Sequence, residues 1–211
     1  MSSGGWLRLH RIADALDRRV GTTIRGVPLL EPSWTRLLDS LVGRQSDRAC
    51  MRGAVLPALV KASVHRIMHV GVRGYTRRYG AFFRGTGTEY WTCDIDPAAA
   101  VYGAPDRHVT EDVRRLDAAF RPGFFDVVML NGVFGWGVDE PHDMERTLEA
   151  IANVLVPGGI LLIGWNHDRS PDPDTLSNIA LFEPVEFLGL PHRKSFPDVT
   201  HVYAWYRRRR R

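Results

Sequence analysis

The chain has 211 residues, 44% of them hydrophobic and 25% charged, an ordinary globular composition with length for one α/β domain and a small appendage. Its formal charge of +4 comes from Arg207 to Arg211, without which 23 basic residues face 24 acidic ones, so composition argues against nucleic acid as a partner of the domain. Cys50 and Cys93 are the only cysteines, and they form neither a C-x-x-C pair nor a Cys/His cluster at metal spacing, which leaves no disulfide framework and no metal site to expect.

In chain order, apolar residues at Trp6, Leu9, Ile12, Ala13 and Leu16 recur at helical spacing and predict an amphipathic helix over residues 6–20. That segment is charged throughout, so it is neither a signal peptide nor an anchor, and no stretch reaches the roughly 18 apolar residues a membrane span needs. A cytoplasmic address without a membrane partner is expected. Helices are also predicted around 34–41, capped by Ser33 after Pro32, and over 47–63, interrupted at Pro57. Residues 1–65 are therefore a helical prelude, either padding over a sheet edge or a lid over a ligand cleft.

Strands then alternate with helices. Strands are predicted at 66–71, 89–94, near 108–109, at 125–131, 159–165, around 185–187 and at 200–206. Helical segments fall at 75–83, 113–120, 141–155 and near 175–182. This alternation implies a largely parallel sheet wrapped by helices over 66–206. Gly189, Pro191 and Pro197 stand between the last two strands where a helix would otherwise be, which predicts an antiparallel finish. Residues 207–211 are left as a basic tail, either a solvated end or a tether for a polyanion.

In such a sheet, ligands sit at the carboxyl ends of the strands near the point where strand order reverses. Those ends carry Gly71 to Tyr75, Asp94-Ile95-Asp96, Glu111-Asp112, Asn131-Gly132, and Asn166-His167. An acid at Asp94, about 20 residues after a glycine turn, is placed to reach ribose hydroxyls.

Five segments, IMHVGVRGY, YWTCDIDP, TEDVRRL, FDVVMLNGVFGW and LEAIANVLVPGGILLIGW, resemble the class I S-adenosylmethionine-dependent methyltransferases over about residues 66–166. The resemblance implies a three-layer Rossmann-like fold, with a mostly parallel seven-stranded sheet, an antiparallel last strand and N-terminal helices in front. It implies S-adenosylmethionine as cofactor. Gly71 and Gly74 would lie along its amino-acid half, Asp94 on the ribose diol, Asp112 on the adenine amino group, Ile95 and Val113 on the ring faces, and Asn131 and Gly132 near the sulfonium. The first loop departs from the family pattern. His69 stands where an acid is usual, Arg73 at the second glycine and Tyr75 at the third, so Arg73 is expected to meet the cofactor carboxylate and His69 to replace the acid.

The activity implied is methyl transfer to a small molecule, with His142 and His167 as candidate bases and Phe134, Trp136 and Trp165 as candidate pocket walls. The altered loop keeps open a cofactor-binding protein with non-methylating chemistry, such as cyclisation or elimination, or a non-catalytic partner role. Acceptor identity and oligomeric state have no motif.

Overall fold

A computed structural model describes residues 45–210, and the helices expected over 6–20 and 34–41 lie outside them. Five strands run parallel: β1 (Arg66–Val70), β2 (Glu89–Asp94), β3 (His108–Thr110), β4 (Phe125–Asn131) and β5 (Leu155–Asn166). Three more are antiparallel: β8 (His201–Arg208) pairs with β5, and β6 (Phe182–Pro184) and β7 (Arg193–Ser195) share the outer edge of β8. The order is β3-β2-β1-β4-β5-β8-β6, with β7 beside β8. The mostly parallel sheet with an antiparallel finish is as expected, extended by one short strand.

Strand order reverses between β1 and β4. A Cβ on Gly71, at the end of β1, would stand 2.8 Å from the Asn131 carbonyl at the end of β4. The two strands thus deliver their ends to one point, the switch point where a crevice opens in this class of sheet. Gly71 adopts φ +86°, a conformation that disfavours a side chain even without that contact.

The sheet carries a core on each face. Against one face lies the helix Pro141–Val154, which buries Met144, Leu148 and Ile151 at helical spacing against Val128, Leu130 and Leu161. Against the other lies a helical run made of Ser46–Cys50, a π-helical turn over Met51–Val55, and Leu56–Lys61. Its Met51, Val55, Leu56 and Leu59 pack with Ile67, Val127, Met129 and Leu162. Pro57 lacks an amide hydrogen, yet the run continues through it, because the wider π turn sits immediately ahead of the proline. The run belongs to the same compact unit as the sheet, so this part of the prelude covers a sheet face.

Two local expectations change. Residues 75–83 form short 3₁₀ turns, Gly74–Thr76 and Tyr79–Phe83, in place of an α-helix. Gly80 lies 3.0 Å from the Tyr90 ring at its Cβ position, so the segment is drawn close over β2, and its four aromatics and glycines favour no long helix. The last strands also shift: β6 ends at Pro184, ahead of the expected 185–187, and β8 continues past Tyr206 to Arg208. The basic tail therefore begins inside the sheet.

Candidate functional site at the strand ends

Asp94 closes β2 and is only 5% exposed. Its Oδ2 accepts from the Val72 backbone N–H at 3.0 Å and from Arg73 Nη1 at 2.9 Å, and its Oδ1 accepts from the Asp96 N–H at 3.0 Å. The two amides hold the carboxylate facing the loop after β1. A carboxylate offers about four acceptor positions, so one remains on Oδ1, and a second opens on Oδ2 when Arg73 withdraws. That is the requirement of a ribose diol. Arg73 is half exposed and held by its own carbonyl neighbour, with Nη1 also donating to Val72 O at 2.7 Å. The structure thus places Arg73 on Asp94, the acid expected to meet the ribose, where the sequence suggested a partner on the cofactor carboxylate.

Ile95 follows Asp94 and is 64% exposed, an apolar side chain with no core partner beside a buried acid. Val113, its expected counterpart, is instead 4% exposed within the core that also holds Leu116 and Met144. Asp112 caps the turn Val113–Arg115 by accepting from the Arg114 N–H at 2.9 Å, and the Arg114 guanidinium grips both of its oxygens. Arg114 also reaches Asp143 at 2.8 Å. The Arg114 hydrogen bonds hold the Asp112 carboxyl below the usual range. Both acids expected to meet the cofactor are therefore engaged by an arginine of the same chain.

His69 is fully buried on the face that holds the Met51–Leu59 helical run. It stacks on Tyr79 with ring centroids 5.7 Å apart, and Tyr90 Oη sits 2.7 Å from Nδ1. Burial pushes its pKa down to about 4, so it is neutral. It has been absorbed into an aromatic core with Tyr79 and Tyr90. Gly74 opens the 3₁₀ turn, and the Arg73 N–H donates to Thr76 Oγ1 at 3.0 Å, which fixes the loop that Asp94 faces.

At the ends of β4 and β5 a buried polar chain connects residues that the sequence reading left separate. His201 opens β8 and lies opposite Asn166 in the β5–β8 register. Its Nε2 is 2.9 Å from Asn131 Oδ1 and its Nδ1 is 3.3 Å from Asn166 Oδ1. Asn166 Oδ1 also accepts from Trp136 Nε1 at 3.2 Å, and Asn166 Nδ2 donates to Thr200 Oγ1 at 2.9 Å. Burial pushes the His201 pKa down to about 3, so the ring is neutral and carries one proton. Trp136 fixes Asn166 Oδ1 as an acceptor, and Asn131 Oδ1 is an acceptor too, so the single ring proton serves only the nearer of them. Nε2, 2.9 Å from Asn131 Oδ1, donates to that oxygen. A Cβ on Gly164 would fall 2.0 Å from the Asn131 amide, so only glycine leaves room for this chain. The signal for His201 in the sequence was its position opposite Asn166, which is readable only once the antiparallel register is known.

Of the remaining expected residues, Gly132 adopts φ +66° with open space at its Cβ position and donates its N–H to Gly164 O at 2.8 Å. His142 is 80% exposed beside Asp143, and His167 is exposed, its N–H donating to Thr200 O at 3.1 Å. Phe134 and Trp165 are 1% exposed in the core. Trp136 is half-buried with the Arg169 guanidinium 3.8 Å above its ring, which already supplies that face with a cation.

The strand order with its antiparallel last strand, the glycine turn at the switch point and the acid at the end of β2 give the fold of the class I S-adenosylmethionine-dependent methyltransferases. Residues 69–163 match a family model described as a methyltransferase domain. Among solved structures, the N-methyltransferase NodS from Bradyrhizobium japonicum WM9 in complex with S-adenosyl-l-homocysteine is similar at 15% identity and TM-score 0.57, covering 78% of this chain and 89% of that one. The 1,6-didemethyltoxoflavin-N1-methyltransferase of Burkholderia thailandensis matches at 20% identity and TM-score 0.52, over 88% and 93% of the two chains. A TehB-like SAM-dependent methyltransferase from Corynebacterium glutamicum matches at 18% identity and TM-score 0.55, over 73% and 88%. A search of curated proteins finds no match. At these identities the structural likeness carries the fold. Among the described residues, no helix is long and apolar enough to cross a membrane.

Proposed function

We propose that the protein transfers the methyl group of S-adenosylmethionine to a small-molecule acceptor. The observation that carries this reading is the buried Asp94 carboxylate, held by two backbone amides toward the switch point, beside an exposed apolar Ile95. In that reading Asp94 grips the ribose diol through charge-assisted hydrogen bonds and Ile95 lies on the adenine ring. Gly71 and Gly132 let the cofactor approach the backbone at the ends of β1 and β4. Bound there, the cofactor supplies an electrophilic methyl on a sulfonium. The chain supplies alignment, which is worth up to about 7–11 kcal/mol in a well-oriented displacement, and needs no obligatory base. Where the acceptor carries a proton, His167, next to Asn166 at the end of β5, is the candidate base, and His142 is a more exposed second.

Small-molecule specificity draws support from the composition of the domain outside its C-terminal arginines, and from the toxoflavin-precursor methyltransferase, whose structure holds such an acceptor. A second reading, the same fold kept in a non-catalytic partner role, is favoured by the Arg73–Asp94 and Arg114–Asp112 pairs, which occupy the acids that would hold the cofactor. Mass spectrometry after incubation with S-adenosylmethionine and a panel of amine, hydroxyl and ring-nitrogen acceptors separates the two. Stoichiometric S-adenosylhomocysteine with a methylated acceptor supports transfer, whereas neither retained cofactor nor methylated product across the panel would support the second reading.

A further inference from the structure

Tyr203, Gly164 and Asn131 stand opposite one another on β8, β5 and β4, and Val70 stands opposite Leu130, so Gly71 continues that row on β1. The Tyr203 hydroxyl donates to the Asp47 carbonyl at 3.3 Å, and the Arg48 guanidinium lies 3.8 Å above the ring of Tyr75, in the loop that follows Gly71. The first turn of the helical run, Ser46–Cys50, is thus fastened both to the β8 end of the row and to the glycine turn at its β1 end. The Ser46 backbone N–H and hydroxyl donate to Asp198, which ties the same turn to the loop before β8.

Asp47 in this turn is 6% exposed, and its Oδ1 is buried without a hydrogen-bond partner among the described residues. Burial raises its carboxyl pKa, Arg48 opposes the rise and Asp198 adds to it. Burial also raises the Tyr79 and Tyr203 hydroxyls, and the Asp47 charge adds to both shifts, so the carboxylate lies within electrostatic range of each. Tyr79 Oη and His69 Nε2 are likewise buried without partners, and their two rings stack. A carboxylate closed off from water with one oxygen unpartnered is costly to hold, and its natural complement is a cation. S-adenosylmethionine brings one, the ammonium of its amino-acid half. Asp47 and Asp94 are the two buried acids among the described residues, and Asp94 already faces Arg73. His69, on β1, is neutral.

We propose that Asp47 receives the ammonium at the amino-acid end of the cofactor, so that the helical run, and not β1, supplies the counter-charge. The assignment rests on the methyltransferase reading and adds a binding residue that lies outside its sequence motifs. Oδ1 accepts one ammonium N–H in a charge-assisted hydrogen bond. The end of a flexible, unbranched chain is slim enough to reach an oxygen closed to bulk water. The part of the prelude that covers a sheet face therefore also grips the cofactor, and the Arg48–Tyr75 contact holds it against the glycine turn.

Calorimetric titration of the full chain with S-adenosylhomocysteine, its deamino analogue and 5′-methylthioadenosine tests it. Wild type should bind S-adenosylhomocysteine at least tenfold more tightly than the deamino analogue, which keeps the carboxylate. Asp47→Asn should lose at least tenfold in affinity for S-adenosylhomocysteine, with its affinity for the other two ligands unchanged. Its melting temperature without ligand should be unchanged or higher, since the substitution removes a buried, unpaired charge. Equal affinity of wild type for S-adenosylhomocysteine and the deamino analogue would overturn the proposal without recourse to any variant. So would an Asp47→Asn variant that loses affinity for none of the ligands, or for all three alike, the mark of a structural role. Wild type that binds none of the three overturns the cofactor reading itself, whereas binding of methylthioadenosine with no gain from the ammonium overturns only the role of Asp47.

Discussion

Replacing Arg73 with alanine should tighten cofactor binding, contrary to the usual effect of removing a charged residue from a binding loop. Arg73 Nη1 takes one of the two acceptor positions on Asp94 Oδ2, and the Val72 amide takes the other. A ribose hydroxyl can reach Oδ2 only after the guanidinium leaves, so cofactor affinity is reduced by the free energy of that ion pair. The Arg73 side chain is 41% exposed, and the pair is screened accordingly. It is worth about 0.5–1 kcal/mol, equivalent to a factor of about two to five in the dissociation constant. Titration of wild type and Arg73→Ala with S-adenosylhomocysteine, at two salt concentrations, measures the difference directly. The gap should narrow at high salt as the competing pair weakens. A tenfold loss of affinity in Arg73→Ala would refute the competition and identify the guanidinium as part of the grip on the cofactor.

Asp94→Asn removes the charge that makes both ribose hydrogen bonds strong, and should weaken cofactor binding by about 3 kcal/mol, roughly 100-fold, in the same titration. Gly164→Ala would drive a Cβ into the Asn131 amide and the His201 ring; urea unfolding should show a loss of about 2 to 3 kcal/mol, and unchanged stability would mean that this polar chain is not packed as described. His69 and His201, with pKa values pushed down by burial to about 4 and about 3, bind fewer protons in the folded than in the unfolded state between those values and about 6.5. Stability is therefore highest above pH 6.5 and falls as pH drops, by about 2 kcal/mol per histidine by pH 5. Denaturation at pH 7.5 and pH 5 should show the fall, and His69→Gln should remove about half of it.

The outline of the sheet was legible because its signals are local. The doubly apolar run at Val127–Leu130 marks a strand buried on both faces, and the apolar run from Ile160 marks the next, although that strand begins at Leu155, ahead of Pro157-Gly158-Gly159 rather than after it. Helical periodicity likewise located the helix that begins at Pro141. The site was less legible because its contacts are not local. Arg73 and Asp94 lie 21 residues apart and meet because β1 and β2 are parallel neighbours, while His201 lies 70 residues from Asn131 and meets it only through the β5–β8 register. The histidine at the position of the family acid looked like a ligand contact. The partners that bury it, Tyr79 and Tyr90, come from a 3₁₀ turn and a strand whose packing no periodicity announces. The arginine run reads as solvated in a linear chain, because nothing in five identical residues shows that the first two extend a strand.

The central claim is that the strand-end crevice at Asp94 holds S-adenosylmethionine. Calorimetric titration of the full chain with S-adenosylhomocysteine, the product form, tests it without needing the acceptor. The account predicts saturable binding at one ligand per chain together with a raised melting temperature. The absence of both heat and thermal stabilisation at millimolar ligand would contradict it.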